Sequence, residues 1–272
     1  IMKKIYLLST AIIGLLIACK NKPTDKPATD SAKTVATKPT PMSPIKYDSS
    51  KRYIFLTWDD SPQPPGTTNC RLVFKQEGVK ATFFSVGFNQ VGPFKKRLID
   101  SIRNEYPQFL LANHSFSHGF NDKYAKFYAT PDSAYADFMR NEKELQIPVK
   151  IIRLPGNNTW ATNGKIHGQK ADNALIKRLD AEGYKIVGWD LEWGQNGKKK
   201  EPRESVDQLI KMLNQKFDDG MTNEQNMIVI LSHDRLFEKK QYADSLAKFI
   251  QVLKQDPRNV FETIDHYPGI QK

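Results

Sequence analysis

The sequence predicts an α/β domain on a largely parallel sheet, with its chemistry gathered where the strands end. Two observations carry this reading. Short apolar runs alternate with segments of helical period along residues 47–272. Five of the six main apolar runs are also followed at once by polar or titratable residues. In a parallel α/β barrel every strand opens its C-terminus on one face, and active sites lie there, so these residues converge.

The six runs are YIFLTW (53–58), VKATFFSV (79–86), QFLLA (108–112), VKIIRL (149–154), YKIVGW (184–189) and MIVILS (227–232), with a seventh candidate in VFETID (260–265). Helices fall between them. Val206, Leu209, Ile210, Leu213 and Phe217 form one apolar stripe, and Leu246, Phe249, Ile250 and Leu253 form another. Thr130 before Pro131 reads as the N-cap and first turn of a helix over 131–146. Cys70 sits in a helical segment and reads as a small buried apolar residue.

The N-terminal stretch has a different character. Lys3 and Lys4 precede an apolar run that ends at Ala18 and Cys19. That run is roughly 14 residues, shorter than the ~20 of a membrane span, and reads as a signal segment over 1–18. LIAC resembles the lipobox of bacterial lipoproteins, which implies cleavage before Cys19, acylation of its thiol, and a membrane-anchored protein facing the periplasm or cell exterior. Residues 19–46 are rich in Lys, Pro, Thr and Ala and read as a disordered tether. The formal charge of the whole chain is +11, and much of the excess lies in these first 46 residues. The mildly basic remainder suits an anionic polymer or surface, and no helix-turn-helix or basic-helix pattern points to nucleic acid.

At the strand ends the polar residues are Asp59 and Asp60, His114 and His118, Arg153 with Gly156, Asp190 with Glu192, and His233. His114 and His118 are four apart, so a helix starting at that strand end would set both rings on one face. Two imidazoles and a carboxylate make a three-ligand metal site with room for water. Taken alone, either pair also reads as ordinary surface or turn residues. Of two adjacent carboxylates, one can bind metal while the other takes a proton. A histidine on another strand, His233, can protonate the leaving group. Arg153 can hold the basic carboxylate ionised, and the backbone N–H near Gly156 can stabilise an oxyanion.

These residues carry a family resemblance. TWDDS (57–61), HSFSH (114–118), RLPGNN (153–158) and LSHD (231–234), in that order, resemble the motifs of carbohydrate esterase family 4, the polysaccharide deacetylases, over roughly residues 50–267. The resemblance implies an irregular (β/α) barrel. It implies Asp59 as base, Asp60, His114 and His118 as ligands of a divalent metal (zinc first, with cobalt, nickel or manganese as alternatives), and His233 as acid. Arg153 would tether Asp59, Leu231 would line the acetyl pocket, and Ser115 would brace the histidine loop. Two departures stand out. Gly156 occupies a position where the family often has tyrosine. DLEW (190–193) is one residue shorter than the family's D-x-x-D-W, leaving Asp190 or Glu192 to support His233, with Asp190 preferred and Trp193 in the pocket wall.

The implied activity is removal of N-acetyl, less often O-acetyl, groups from peptidoglycan or an exported polysaccharide. The alternatives are a carbohydrate-binding protein on the same fold and a hydrolase of non-sugar amides. Aromatic residues in 119–130 and 154–172 suit either sugar stacking or packing, Lys198–Lys200 reads as a solvated run, and His167 and His266 read as structural.

Overall fold

The computed structural model describes residues 44–271. The expected signal segment, Cys19 and the tether up to residue 43 lie outside the described residues. Ile45, two residues before the expected start of the domain, exchanges hydrogen bonds with the Gln271 side chain and packs on the core.

The central strands are β1 (Arg52–Ser61), β2 (Ala81–Ser85), β3 (Phe109–Asn113), β4 (Ile151–Ile152), β5 (Thr159–Thr162), β6 (Lys165–Gly168), β7 (Lys185–Ile186), β8 (Leu191–Glu192), β9 (Met227–His233) and β10 (Asn259–Phe261). They form one sheet in the order β6-β5-β7-β4-β3-β2-β1-β9-β8, with β10 beside the start of β1. The ladder from β4 through β9 is parallel, whereas β5 runs antiparallel to β6 and β7. The helices are α1 (Gly66–Glu77), α2 (Pro93–Asn104), α3 (His118–Asp122), α4 (Tyr124–Ala129), α5 (Pro131–Leu145), α6 (Ala174–Ala181), α7 (Val206–Asp218) and α8 (Lys240–Lys254). This is the expected α/β architecture, a curled sheet left open between β6 and β8 rather than a regular barrel.

Both faces of the central strands are covered, which is why they read as unbroken apolar runs. Ile54, Leu56 and Trp58 of β1 join Phe83, Leu111, Ile228 and Ile230 in an outer core that includes Leu209 and Leu213 of α7 and Leu246, Phe249 and Ile250 of α8. Tyr53 and Phe55 point the other way and join Phe84, Leu110, Ala112, Val229 and Tyr267 in the inner core. The inner rows are apolar at the base of the strands and become polar at the top. On β1 the row runs Tyr53, Phe55, Thr57, Asp59; on β9 it runs Met227, Val229, Leu231, His233; along β3 it continues through Leu110 and Ala112 to His114. The period of two that builds the sheet also selects which side chains face the site.

Three sequence expectations differ from the structure. β4 and β7 are two residues long each, far shorter than their apolar runs. The β5–β6 hairpin was not anticipated. Thr130 does precede Pro131 at the start of α5, but its hydroxyl donates back to Lys126 O at 3.0 Å instead of capping.

Candidate active site

Asp60 belongs by parity to the outer face of β1. It reaches the site because the ladder with β2 slips between Asp59 and Ser61, a bulge of the kind that re-aims side chains, and because its φ is 71°. The Asn89 amide holds the turned peptide by donating to Asp60 O at 2.8 Å. Both carboxylates are therefore buried side by side, Asp59 through the strand period and Asp60 through the bulge.

The two histidines are brought together differently from the expected regular helix. His114 directly follows β3. His118 opens α3, a single left-handed turn in which residues 118–122 all have positive φ. Left-handed backbone is costly outside glycine and is sustained only where its surroundings fix it. Here Ser115 Oγ accepts from Gly119 N at 3.1 Å, Asn113 Oδ1 accepts from Ser115 N at 3.0 Å, and the Ser117 hydroxyl accepts from Phe120 N at 2.9 Å. The result sets the imidazole centroids 5.1 Å apart.

His114 Nδ1 donates to Arg153 O at 2.9 Å, and His118 Nδ1 donates to Asp122 Oδ1 at 2.5 Å. Each ring is thus fixed with Nε2 inward. Those atoms lie 3.7 Å and 3.2 Å from Asp60 Oδ1, which is buried with no hydrogen-bond partner. An unpaired buried carboxylate oxygen facing two imidazole lone pairs, each ring oriented from behind by an acceptor, is a donor set that suits a divalent metal. Asp60, His114 and His118 fit such an ion. The other oxygen, Oδ2, is held by Arg235 Nη1 at 2.8 Å. Burial opposes ionisation of Asp60, but the neighbouring His233, His118, His114 and Arg235 outweigh it and hold its carboxyl at about 2. Burial, reinforced by His118, pushes His114 down to about 3, so it is neutral and free to ligate.

Asp59 faces the same cavity. Arg153, fully buried, donates from Nη1 to Asp59 Oδ1 at 3.0 Å and to Thr57 Oγ1 at 2.7 Å, with its other nitrogens on Val187 O and Gly188 O. Burial raises the Asp59 carboxyl against the pull of Arg153 and His233. His233 pairs in register with Asp59 across the β1–β9 ladder, and burial lowers its imidazole. The cavity, of about 290 Å³, is lined by Asp59, His114, His118, Gly156, Leu231 and His233 among others.

The DLEW segment requires a correction. Asp190 does not stand beside His233: its carboxylate accepts from Asn223 N at 2.6 Å and Val229 N at 2.7 Å, deep along β9. Glu192 is on the same face two residues higher, paired with Leu231, and lines the cavity. Trp193, by the same alternation, points outward into the core against Phe237 and Phe249 and is not in the pocket wall. The indole on the cavity is Trp189.

Sequence reasoning also missed Arg235, which no pattern distinguished from any other residue after a strand end. Tyr124 was noted only as one loop aromatic. Its ring fills the space in front of Gly156 and Gly119, where an added Cβ would come within 2.6 Å and 2.8 Å of it. Phe127, Tyr128 and Trp160 are buried as packing, Lys198–Lys200 is exposed, and His266 is buried against Glu262.

Residues 46–158 match the family model of polysaccharide deacetylases, a stretch that contains Asp59, Asp60, His114, His118, Arg153 and Gly156. Over that stretch the chain is similar to the polysaccharide deacetylases. Among individual relatives, it is 24% identical over 221 residues to a peptidoglycan-N-acetylglucosamine deacetylase of Bacillus cereus, covering 80% of this chain and 89% of that one. A family 4 carbohydrate esterase from Streptococcus mutans superposes with a TM-score of 0.59 at 25% identity, over 78% of this chain and 86% of the other. The catalytic domain of a peptidoglycan N-acetylglucosamine deacetylase from Eubacterium rectale gives 0.58 at 20% identity, over 85% and 96%.

Proposed function

We propose that the protein is a metal-dependent deacetylase that hydrolyses N-acetyl groups on a glycan of the cell envelope or an exported polysaccharide, anchored to a membrane through acylated Cys19. The observation that carries the reading is the buried, unpaired Oδ1 of Asp60 facing two oriented histidines, with Asp59 and His233 across the same cavity. The names of the relatives support the substrate class.

Asp60, His114 and His118 would hold a divalent cation, zinc by the donor set, which when bound would supply Lewis-acid polarisation of the amide carbonyl and of the attacking water. Asp59 takes the proton of that water, and Arg153 fixes the direction of the carboxylate. The Gly156 peptide N–H, on the cavity wall, steadies the oxygen on which charge develops. His233 gives a proton to the departing amine. Glu192 is the carboxylate on the His233 side of the cavity.

The test is acetate release from N-acetylglucosamine oligomers and from peptidoglycan by the zinc-loaded protein. Asp59→Asn is expected to abolish turnover with metal still bound, and His233→Ala to reduce kcat by about 10²–10⁴-fold. Full turnover in Asp59→Asn would remove the base assignment. Hydrolysis confined to non-sugar amides would remove the glycan.

A further inference from the structure

Asp60 is fastened at two of its three oxygens. Its backbone oxygen accepts from the Asn89 amide at 2.8 Å, and its Oδ2 accepts from Arg235 Nη1 at 2.8 Å. Only Oδ1 is left, buried and without a hydrogen-bond partner, 3.7 Å from His114 Nε2 and 3.2 Å from His118 Nε2. The carboxylate is therefore divided: one oxygen faces the histidines and the other belongs to a guanidinium.

Arg235 is itself braced. Its Nε donates to Gln195 Oε1 at 2.9 Å. Gln195 stands at the neck of the loop 194–203, where it bridges to Pro202, and Arg203 N closes the same neck on Gly194 O at 2.8 Å. Ion pairs of Lys200 with Glu238 and of Lys239 with Glu201, each at 3.1 Å, tie the loop to the segment that follows Arg235. A planar guanidinium held at Nε by one group and at Nη1 by another keeps a single direction toward Asp60.

This arrangement limits how Asp60 can bind a cation. Before both oxygens reach one ion, a charge-assisted hydrogen bond to Oδ2 must break. Zinc is satisfied by four ligands and needs one oxygen from a carboxylate, whereas manganese favours a larger, oxygen-rich shell that a second carboxylate oxygen helps to fill. Both ions are divalent, so repulsion by the guanidinium charge is common to them and drops out of their ratio.

We propose that Arg235 is a positioning residue that confines Asp60 to one metal-binding oxygen and so sets a preference for zinc over manganese. The inference rests on the reading of Asp60, His114 and His118 as a metal site.

The test is calorimetric titration of chelator-stripped protein with zinc and with manganese, together with crystal structures of the manganese-loaded wild type and Arg235→Met. The ratio of the two affinities is expected to fall about tenfold in Arg235→Met, which keeps the chain length without a donor, and in Arg235→Ala. Arg203→Ala removes an equal charge, paired with Glu204 away from Asp60, and is expected to leave the ratio unchanged. Asp60 is expected to bind through Oδ1 alone in the wild type and through both oxygens in Arg235→Met. A ratio that holds or rises in both Arg235 variants, an equal fall in Arg203→Ala, or both Asp60 oxygens on the ion in the wild type would each overturn the role of Arg235. If zinc binding is still lost in Asp60→Ala, those results leave the metal site standing. Zinc binding that is absent from the wild type, or intact in Asp60→Ala, would overturn both.

Discussion

At the scale of single residues, position along a strand decides what a side chain can do. Asp190 and Glu192 share the inner face, yet one carboxylate is sealed onto two backbone N–H groups while the other lines the cavity with Asp59 and His233. Asp190→Asn has one acceptor oxygen for those two donors, so it is expected to lower stability by about 1–3 kcal/mol in chemical denaturation. Turnover per folded molecule should stay within about threefold of wild type, because Asp190 has no contact with His233. A hundredfold fall in kcat with stability unchanged would restore Asp190 as the partner of His233. Gly156 is a departure with a visible cause. Its φ of 60° and the Tyr124 ring in front of it leave no room for a side chain, and the aromatic group beside this peptide comes from α4 instead. That contact joins residues 32 positions apart and could not be read from either segment alone.

Among elements, legibility followed burial. β1, β2, β3 and β9 were readable because helices cover one face and the inner core the other, making each a continuous apolar run. α7 and α8 were readable because one stripe of each is buried. The β5–β6 hairpin did carry a signal that went unused: Asn163-Gly164, with φ of 52° and 69°, is the pair a two-residue turn requires. α3 carried none, since nothing in HSFSHGFND announces five consecutive left-handed residues. β10 is fastened near β2 by Glu262, which accepts from Lys80 Nζ at 2.7 Å and from His266 Nδ1 at 2.7 Å. Burial would raise this carboxyl, but those hydrogen bonds outweigh it and hold it below its ordinary 4.5. A depressed folded value means stabilisation that is complete above the unfolded value and lost as pH falls through the folded one. Glu262→Gln is therefore expected to lower the melting temperature near pH 7, with the difference from wild type shrinking near pH 3. A difference that is constant with pH, or that grows in acid, would contradict this.

The whole molecule is a sheet whose inner face changes from apolar to polar along the strands, so that folding the base assembles the site at the top. Asp59, His114, Arg153 and His233 come from four strand ends, and their convergence was legible from sequence because each lies at or just past the end of an apolar run. The finer arrangement was not, because it depends on a bulge, a left-handed turn and a guanidinium, Arg235, that only the folded chain brings onto Asp60. The proposed chemistry depends on a metal held by Asp60, His114 and His118. The direct measurement is a zinc titration of chelator-stripped protein by calorimetry, with acetate release followed in the same samples. One equivalent is expected to bind, acetate release is expected to rise in proportion to occupancy, and Asp60→Ala is expected to lose both. Zinc binding untouched by Asp60→Ala, or full acetate release from the stripped protein, would contradict the account.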